Sequence, residues 1–247
     1  MRRFVVAIEF RDETPKRSFG SLLLGRPAEE VVKIDPLRFP GMSSRVHEMN
    51  EQSAYWRKWL KSHEGKPDAI LGYCSGAALA WSLAAEYLPE DVPLVLLDPE
   101  WTSPRVAQDL LADLCQGMDP EGRGSPVPPV GELAPDDALF VAGGFLRSAM
   151  ERVAGELPVD ILDTLTEKQR AWFSYTLSAT APDARLEPRQ VFLSRAGRWT
   201  EGGNTRVHRF PTDPWELFRS IEVADAIGRL VEDSPREITH GDRPGEV

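Results

Sequence analysis

The chain has 247 residues, of which 41% are hydrophobic and 28% charged, enough for one α/β domain with an inserted lid or for two small domains, and with no apolar stretch of membrane-spanning length. Its net charge of −10 argues against a nucleic-acid partner. Two cysteines, Cys74 and Cys115, with no secretory apolar region before the first strand, point to a reducing cytoplasm, and no Cys/His cluster has metal-ligand spacing.

In chain order, residues 3–10 read as a first strand and residues 11–18, with Pro15, as a polar loop. The charges from Glu9 to Glu13 read as solvated. Residues 31–34 form a second candidate strand, followed by a turn at 36–41. Residues 44–63 read as an amphipathic helix whose apolar stripe is Val46, Met49, Tyr55, Trp56, Trp59 and Leu60. Its tryptophans are expected in the core, and His47 and His63 on or near it, away from any site.

The next stretch, DAILGYCSGAALAWSLAAEYL, carries the chemistry. Residues 69–73 are a short apolar run of strand character, and residues 75–88 are rich in the helix formers Ala and Leu. Cys74 stands at the turn between them, flanked by Gly72 and Gly76. Glycine at both places removes Cβ atoms that would clash where helix crosses strand. The Ser75 N–H then points to where an oxyanion would form, and the helix N-terminus favours a thiolate on Cys74. The plainer reading is a small buried cysteine in an ordinary strand–helix turn.

This stretch resembles the nucleophile elbow of α/β-hydrolases, G-x-S-x-G, with cysteine in place of serine. Locally GYCSGAALA is similar to the elbow of dienelactone hydrolases, while the layout of the chain is more similar to the thioesterases of polyketide and nonribosomal peptide assembly lines. The resemblance implies an α/β-hydrolase fold: a mostly parallel central sheet flanked by helices, with residues 1–100 and 186–233 as core. Residues 101–185 become a helical lid insertion, and residues 234–247 a disordered tail. The FPG element at Phe39-Pro40-Gly41 matches the turn after the second core strand. The second oxyanion N–H falls at Phe10, although Glu9-Phe10-Arg11-Asp12-Glu13 lacks the family's Gly- and Pro-rich turn.

Beyond the elbow, residues 94–97 read as a buried parallel strand with Asp98 at its C-terminal end. Catalytic groups collect at that edge of an open parallel sheet. In the assembly-line thioesterases the triad acid sits here; the residues alone also allow a turn-former before Pro99. Residues 104–118, 138–156 and 166–179 read as helices, separated by a Pro- and Gly-rich segment at 119–137. They match the place of the lid, where Trp172, Phe173 and Tyr175 either line an acyl pocket or fasten the lid to the core. Tyr73, Trp101 and Trp172 are the expected substrate contacts. Cys115 reads as a small core residue. Residues 189–194 and 205–210 read as the last strands and residues 215–232 as a closing helix.

The family's histidine base lies just before that helix, in a stretch resembling D-H-F-E-L-L. Here the stretch is Asp213-Pro214-Trp215-Glu216-Leu217-Phe218, with proline at the histidine position. Either His208 serves as base, or His240 folds back, or no histidine takes part. A thiol tolerates the last case, because cysteine ionises near pH ~8.5 and a helix N-terminus lowers that value. Thioester exchange on Cys74 is near-balanced, whereas hydrolysis needs an activated water. The reading is therefore an enzyme that takes an acyl or aminoacyl group from the phosphopantetheine arm of a carrier protein onto Cys74. It then passes the group to a small-molecule acceptor, with no bound cofactor. Asp98 orients the base. The alternatives are a hydrolytic thioesterase with a Cys74-His208-Asp98 triad, and a degenerate hydrolase fold that only binds a partner. Arg57, Lys58 and Lys61 are a weak candidate patch for an acidic carrier.

Overall fold

Six extended segments pair into one sheet in the computed structural model of the chain. It describes residues 3–10, 18–23, 30–85, 87, 92–118, 126–154, 157–181, 187–200 and 203–232. The strands are β1 (Arg3–Ile8), β2 (Val31–Ile34), β3 (Lys66–Tyr73), β4 (Leu94–Leu97), β5 (Gln190–Leu193) and β6 (Arg206–Arg209). They lie in the order β2-β1-β3-β4-β5-β6, and each neighbouring pair is parallel. Such a sheet is covered on both faces, so its inner strands are apolar without alternation. The LVLL of β4 is buried throughout, while the edge strand β6, RVHR, is only half-buried at best.

Helices α1 (Phe19–Leu22) and α7 (Ile221–Glu232) cover one face, against Val5, Ala7, Leu71 and Leu97. Helices α2 (Met49–Leu60) and α3 (Gly76–Ala84) cover the other, against Val6, Ile8, Ile70 and Leu96. Between β4 and β5 come α4 (Pro104–Met118), α5 (Pro135–Ala154) and α6 (Val159–Ser178), which share an apolar cluster around Leu111, Ala142, Leu146 and Phe173. Strand order reverses between β1 and β3, and at such a reversal a crevice opens at the C-terminal edge of the sheet. Phe10 and Cys74 follow the two strands that flank it.

Several boundaries differ from the sequence expectation, each for a local reason. The helix expected from residue 44 starts at Met49, because the Val46 N–H donates to Asp136 Oδ1 at the start of α5 (2.7 Å). Helix α3 ends at Ala84 rather than at residue 88. Helix α6 begins at Val159, a full seven positions before the expected residue 166, just after Pro158. The closing helix is broken into a 3₁₀ turn, Pro214–Arg219, and α7, with Ser220 in extended conformation between them. Trp56 is in the core, but Trp59 is 37% exposed and lies edge-on to Trp56.

Glu9 is a correction as well. It is buried rather than solvated, and accepts from the Phe19 N–H (2.8 Å) and the Ser18 hydroxyl (3.2 Å). Its carboxylate also pairs with Lys33 Nζ at 2.7 Å, so one side chain ties α1 to β1 and β2. The Arg11–Glu13 charges and the tail at 234–247 lie outside the described residues.

Candidate active site

Cys74 has φ +51°, in the left-handed region that a side chain other than glycine adopts at a cost of about 1–3 kcal/mol. The surrounding bonds hold it there. Its N–H donates to Leu97 O (3.1 Å), and its carbonyl accepts from the N–H groups of Ala77 (3.0 Å) and Glu100 (3.2 Å). Contact constrains both flanking glycines, Gly72 the more strictly. A Cβ on Gly72 would lie 2.6 Å from the Ala80 Cβ and 2.9 Å from the Ala77 Cα, and one on Gly76 would lie 3.3 Å from Ile8. The turn therefore lifts a half-buried thiol above the C-terminal edge of the sheet, at the start of α3. The Ser75 and Phe10 N–H groups donate to no described residue.

The thiol donates to Glu100 Oε2 at 3.1 Å. Sequence reasoning stopped two residues short of this carboxylate, at Asp98. The available signal was position: Glu100 follows the buried strand adjacent to β3, and so leaves the sheet beside the elbow. Its loop is held at successive points. The Glu100 N–H donates to the Cys74 carbonyl, Trp101 packs edge-on against Trp81 (5.7 Å) and the Thr102 hydroxyl bonds the Thr176 carbonyl. The start of α3 favours a thiolate on Cys74, while the Glu100 carboxylate opposes it.

Asp98 turns the other way. Its backbone has φ +39°, and its Oδ1 accepts from the Ser194 N–H at 2.7 Å. Its own N–H donates to Phe192 O at 2.8 Å, so both halves of the residue bind the end of β5. The loop after β5 closes over it: a Cβ on Gly197 would lie 2.2 Å from Oδ1. Oδ2 is buried with no partner among the described residues. Burial raises the Asp98 pKa, the Ser194 hydrogen bonds hold it down in part, and the Glu100 charge adds to the rise.

His208 is not brought to this place. Tyr73, Leu97, Phe192 and His208 form one row across β3, β4, β5 and β6. At ~4.8 Å per strand, His208 is roughly 14 Å from the elbow strand. Its ring stacks on Phe192 at 4.8 Å and 11°, and burial, then the Arg206 charge, lower its pKa. His47 lies before α2, against Phe39 (4.5 Å) and 3.1 Å from Glu51. His63 rests on Trp59 (4.5 Å) and Phe4 (5.9 Å), and His240 is outside the described residues. Pro214 opens a capping box, in which Glu216 Oε2 accepts from the Asp213 N–H at 2.9 Å. Proline suits that first helical position, where no N–H is needed.

Of the expected substrate contacts, Tyr73 packs edge-on against Phe218 (4.8 Å) beneath α7, and Trp101 packs with Trp81 and Trp199. Trp172 lines a cavity of about 570 Å³ with Phe10, Phe39, Met42, Leu114, Arg38 and Lys168. Cys74 is not in its lining. The two are joined through Phe10, whose ring meets Tyr175 edge-on (5.4 Å), and the Tyr175 hydroxyl donates to Ser75 O (3.0 Å). Burial pushes the Tyr175 phenol far up, so it remains a donor at all working pH values. Among the described residues no group of three or more His, Cys, Asp or Glu side chains is placed to hold a metal, and no helix is long and apolar enough to cross a membrane.

The sheet order, the strained residue between β3 and α3, and the helices inserted after β4 define an α/β-hydrolase fold. Two similar solved structures, each with a TM-score of 0.50, agree in fold. The NocB thioesterase domain, in a covalent complex with a fluorophosphonate nocardicin G analogue, is 14% identical over 94% of this chain and 95% of its own, with a TM-score of 0.50. An acetylester hydrolase from Corynebacterium glutamicum is 10% identical over 94% and 85%, also with a TM-score of 0.50. The Vlm2 thioesterase domain bound with a dodecadepsipeptide is 17% identical over 92% of each chain, with a TM-score of 0.48. No family model matches the sequence, and no curated protein does.

Proposed function

We propose that this chain is a thioesterase-like acyl-transferring enzyme of natural-product biosynthesis. Cys74 takes an acyl or aminoacyl group from the phosphopantetheine arm of a carrier protein and passes it to a small-molecule acceptor. The observation that carries this reading is the backbone of Cys74: a non-glycine residue held at φ +51° between strand and helix, its thiol half-buried beside an open edge. Strain of that kind is kept where the surrounding structure enforces it, and the side chain it presents is the reactive group.

The chemistry follows from the neighbours. The Cys74 sulfur attacks the thioester carbon, and the carbonyl oxygen gains charge near the Ser75 and Phe10 N–H groups. The carrier thiol leaves and an acyl-Cys74 thioester remains. One feature favours transfer over hydrolysis: a sulfur-to-sulfur exchange is near-balanced, whereas water yields a product of much lower energy that cannot pass the acyl group on. The Cys74-His208-Asp98 triad has no support in the distances, since His208 is three strands away.

Incubation with a carrier protein bearing an acyl-phosphopantetheine thioester, read by intact-protein mass spectrometry, tests this. The expected result is an acyl adduct on Cys74 that persists in water, is discharged by an added acceptor and is absent from Cys74→Ala. A chain that never acquires the adduct, while the carrier keeps its acyl group, would be a binding module on a hydrolase fold.

A further inference from the structure

The geometry points to Glu100 as the general base of the site, serving acceptors that must lose a proton from nitrogen or oxygen. This rests on the reading of Cys74 as the acyl carrier. Glu100 Oε2 is 3.1 Å from the sulfur, and the Glu100 N–H is bonded to the Cys74 carbonyl at 3.2 Å, so backbone and side chain are both fixed to the elbow. Asp98 is committed to Ser194, and His208 stands across the sheet on Phe192.

The proton balance is simple. In the resting enzyme the thiol proton points to Glu100. As the Cys74 sulfur bonds to the acyl carbon, that proton passes to the carboxylate, the carbon–sulfur bond to the carrier breaks, and Glu100 returns the proton to the departing thiol. The acylated sulfur has no proton to donate, so Glu100 Oε2 loses that hydrogen bond. An amine or hydroxyl approaching the acyl carbon comes within reach of that oxygen. Glu100 takes its proton, the new carbon–nitrogen or carbon–oxygen bond forms, the bond to Cys74 breaks, and Glu100 reprotonates the sulfur. A thiol acceptor ionises by itself near pH ~8.5 and needs little help.

Charge makes Glu100 separable from a structural prop. Among the described residues, the groups at Cys74 include Glu100 from the loop after β4, Tyr175 from α6 through Ser75, and the start of α3, while Asp98 on the same loop turns to Ser194. Only Glu100 is removed in Glu100→Gln, and with it a negative charge beside the thiol. The midpoint for alkylation of Cys74 by iodoacetamide should then fall by about one pH unit, because the thiolate is freed from a like charge. Acylation from the carrier thioester should slow less than discharge to an amine or alcohol, because the freed thiolate offsets the lost proton acceptor. Discharge to an amine or alcohol should fall by on the order of 10²-fold, while discharge to a thiol changes little. A fold defect would slow all three reactions together.

The measurements are the alkylation pH profile and single-turnover discharge of acyl-Cys74 to amine, alcohol and thiol, in wild type and Glu100→Gln. Equal discharge to amine and alcohol in both proteins overturns the role of Glu100 alone. So does parallel loss against every acceptor, or an alkylation midpoint that stays put or rises. Failure of wild type to form the adduct at all removes the acyl-carrier reading and this role with it.

Discussion

Two carboxylates leave the end of β4, and the structure gives them opposite tasks. Asp98 is buried against Ser194, while Glu100 faces the thiol. Burial holds the Asp98 pKa above its ordinary value. A raised carboxyl pKa means the folded state binds more protons than the unfolded chain, so this group's contribution becomes less favourable as pH rises through the shifted range and is relieved below it. Asparagine removes the charge and keeps an acceptor for the Ser194 N–H. Asp98→Asn should therefore match or exceed wild-type stability at neutral pH in urea unfolding. Asp98→Ala, which leaves that N–H unpaired, should lose about 1–3 kcal/mol. An equal loss in both variants would mean the charge itself holds the loop. Sequence named Asp98 because it ends a buried strand, and passed over Glu100 because rotation about the intervening Pro99 is not written in periodicity.

The strand–turn–helix unit of β3, Cys74 and α3 is where sequence and structure agree in most detail. Gly72, Ala77 and Ala80 are small because the helix crosses the strand at contact distance. Gly72→Ala would place a Cβ against both alanines, and should cost about 1–3 kcal/mol and slow adduct formation at Cys74 by shifting the turn. Chemical unfolding and the adduct assay check the two effects. Unchanged stability would mean that α3 can move away at no cost. The closing helix shows the opposite case. Its apolar spacing runs through both segments, and the break at Ser220 follows from Leu217 and Phe218 packing under Tyr73 and Phe19 before α7 begins. Tertiary contact decides there what a helical period cannot.

At the scale of the molecule, the inserted helices are bound to the core by buried polar links. Gln52 of α2 donates to the Ser178 hydroxyl at the end of α6 (2.8 Å), and Tyr175 donates to the elbow itself. The end of α6 is therefore fixed, and the 570 Å³ cavity lies further back along it, around Ala171 and Trp172. The net charge of −10 acts over the whole surface. On the proposed reading an acidic carrier would meet repulsion except near the basic end of α2, where Lys58 and Lys61 are exposed. Lys58→Glu with Lys61→Glu should slow acylation by a carrier-bound thioester by on the order of 10-fold at low salt, and leave acylation by a free pantetheine thioester unchanged. Equal rates with the carrier would place its docking surface elsewhere.

The amino-acid order by itself determined the sheet and the elbow. Buried parallel strands need continuous apolar runs, and a helix crossing a strand at contact needs small residues, so both leave a one-dimensional trace. Tertiary structure alone decided which polar groups meet. Glu9 found Lys33 and the start of α1, Asp98 found Ser194, and Glu100 found the sulfur, because each pairing joins loops whose directions are set by neighbouring strands rather than by their own residues.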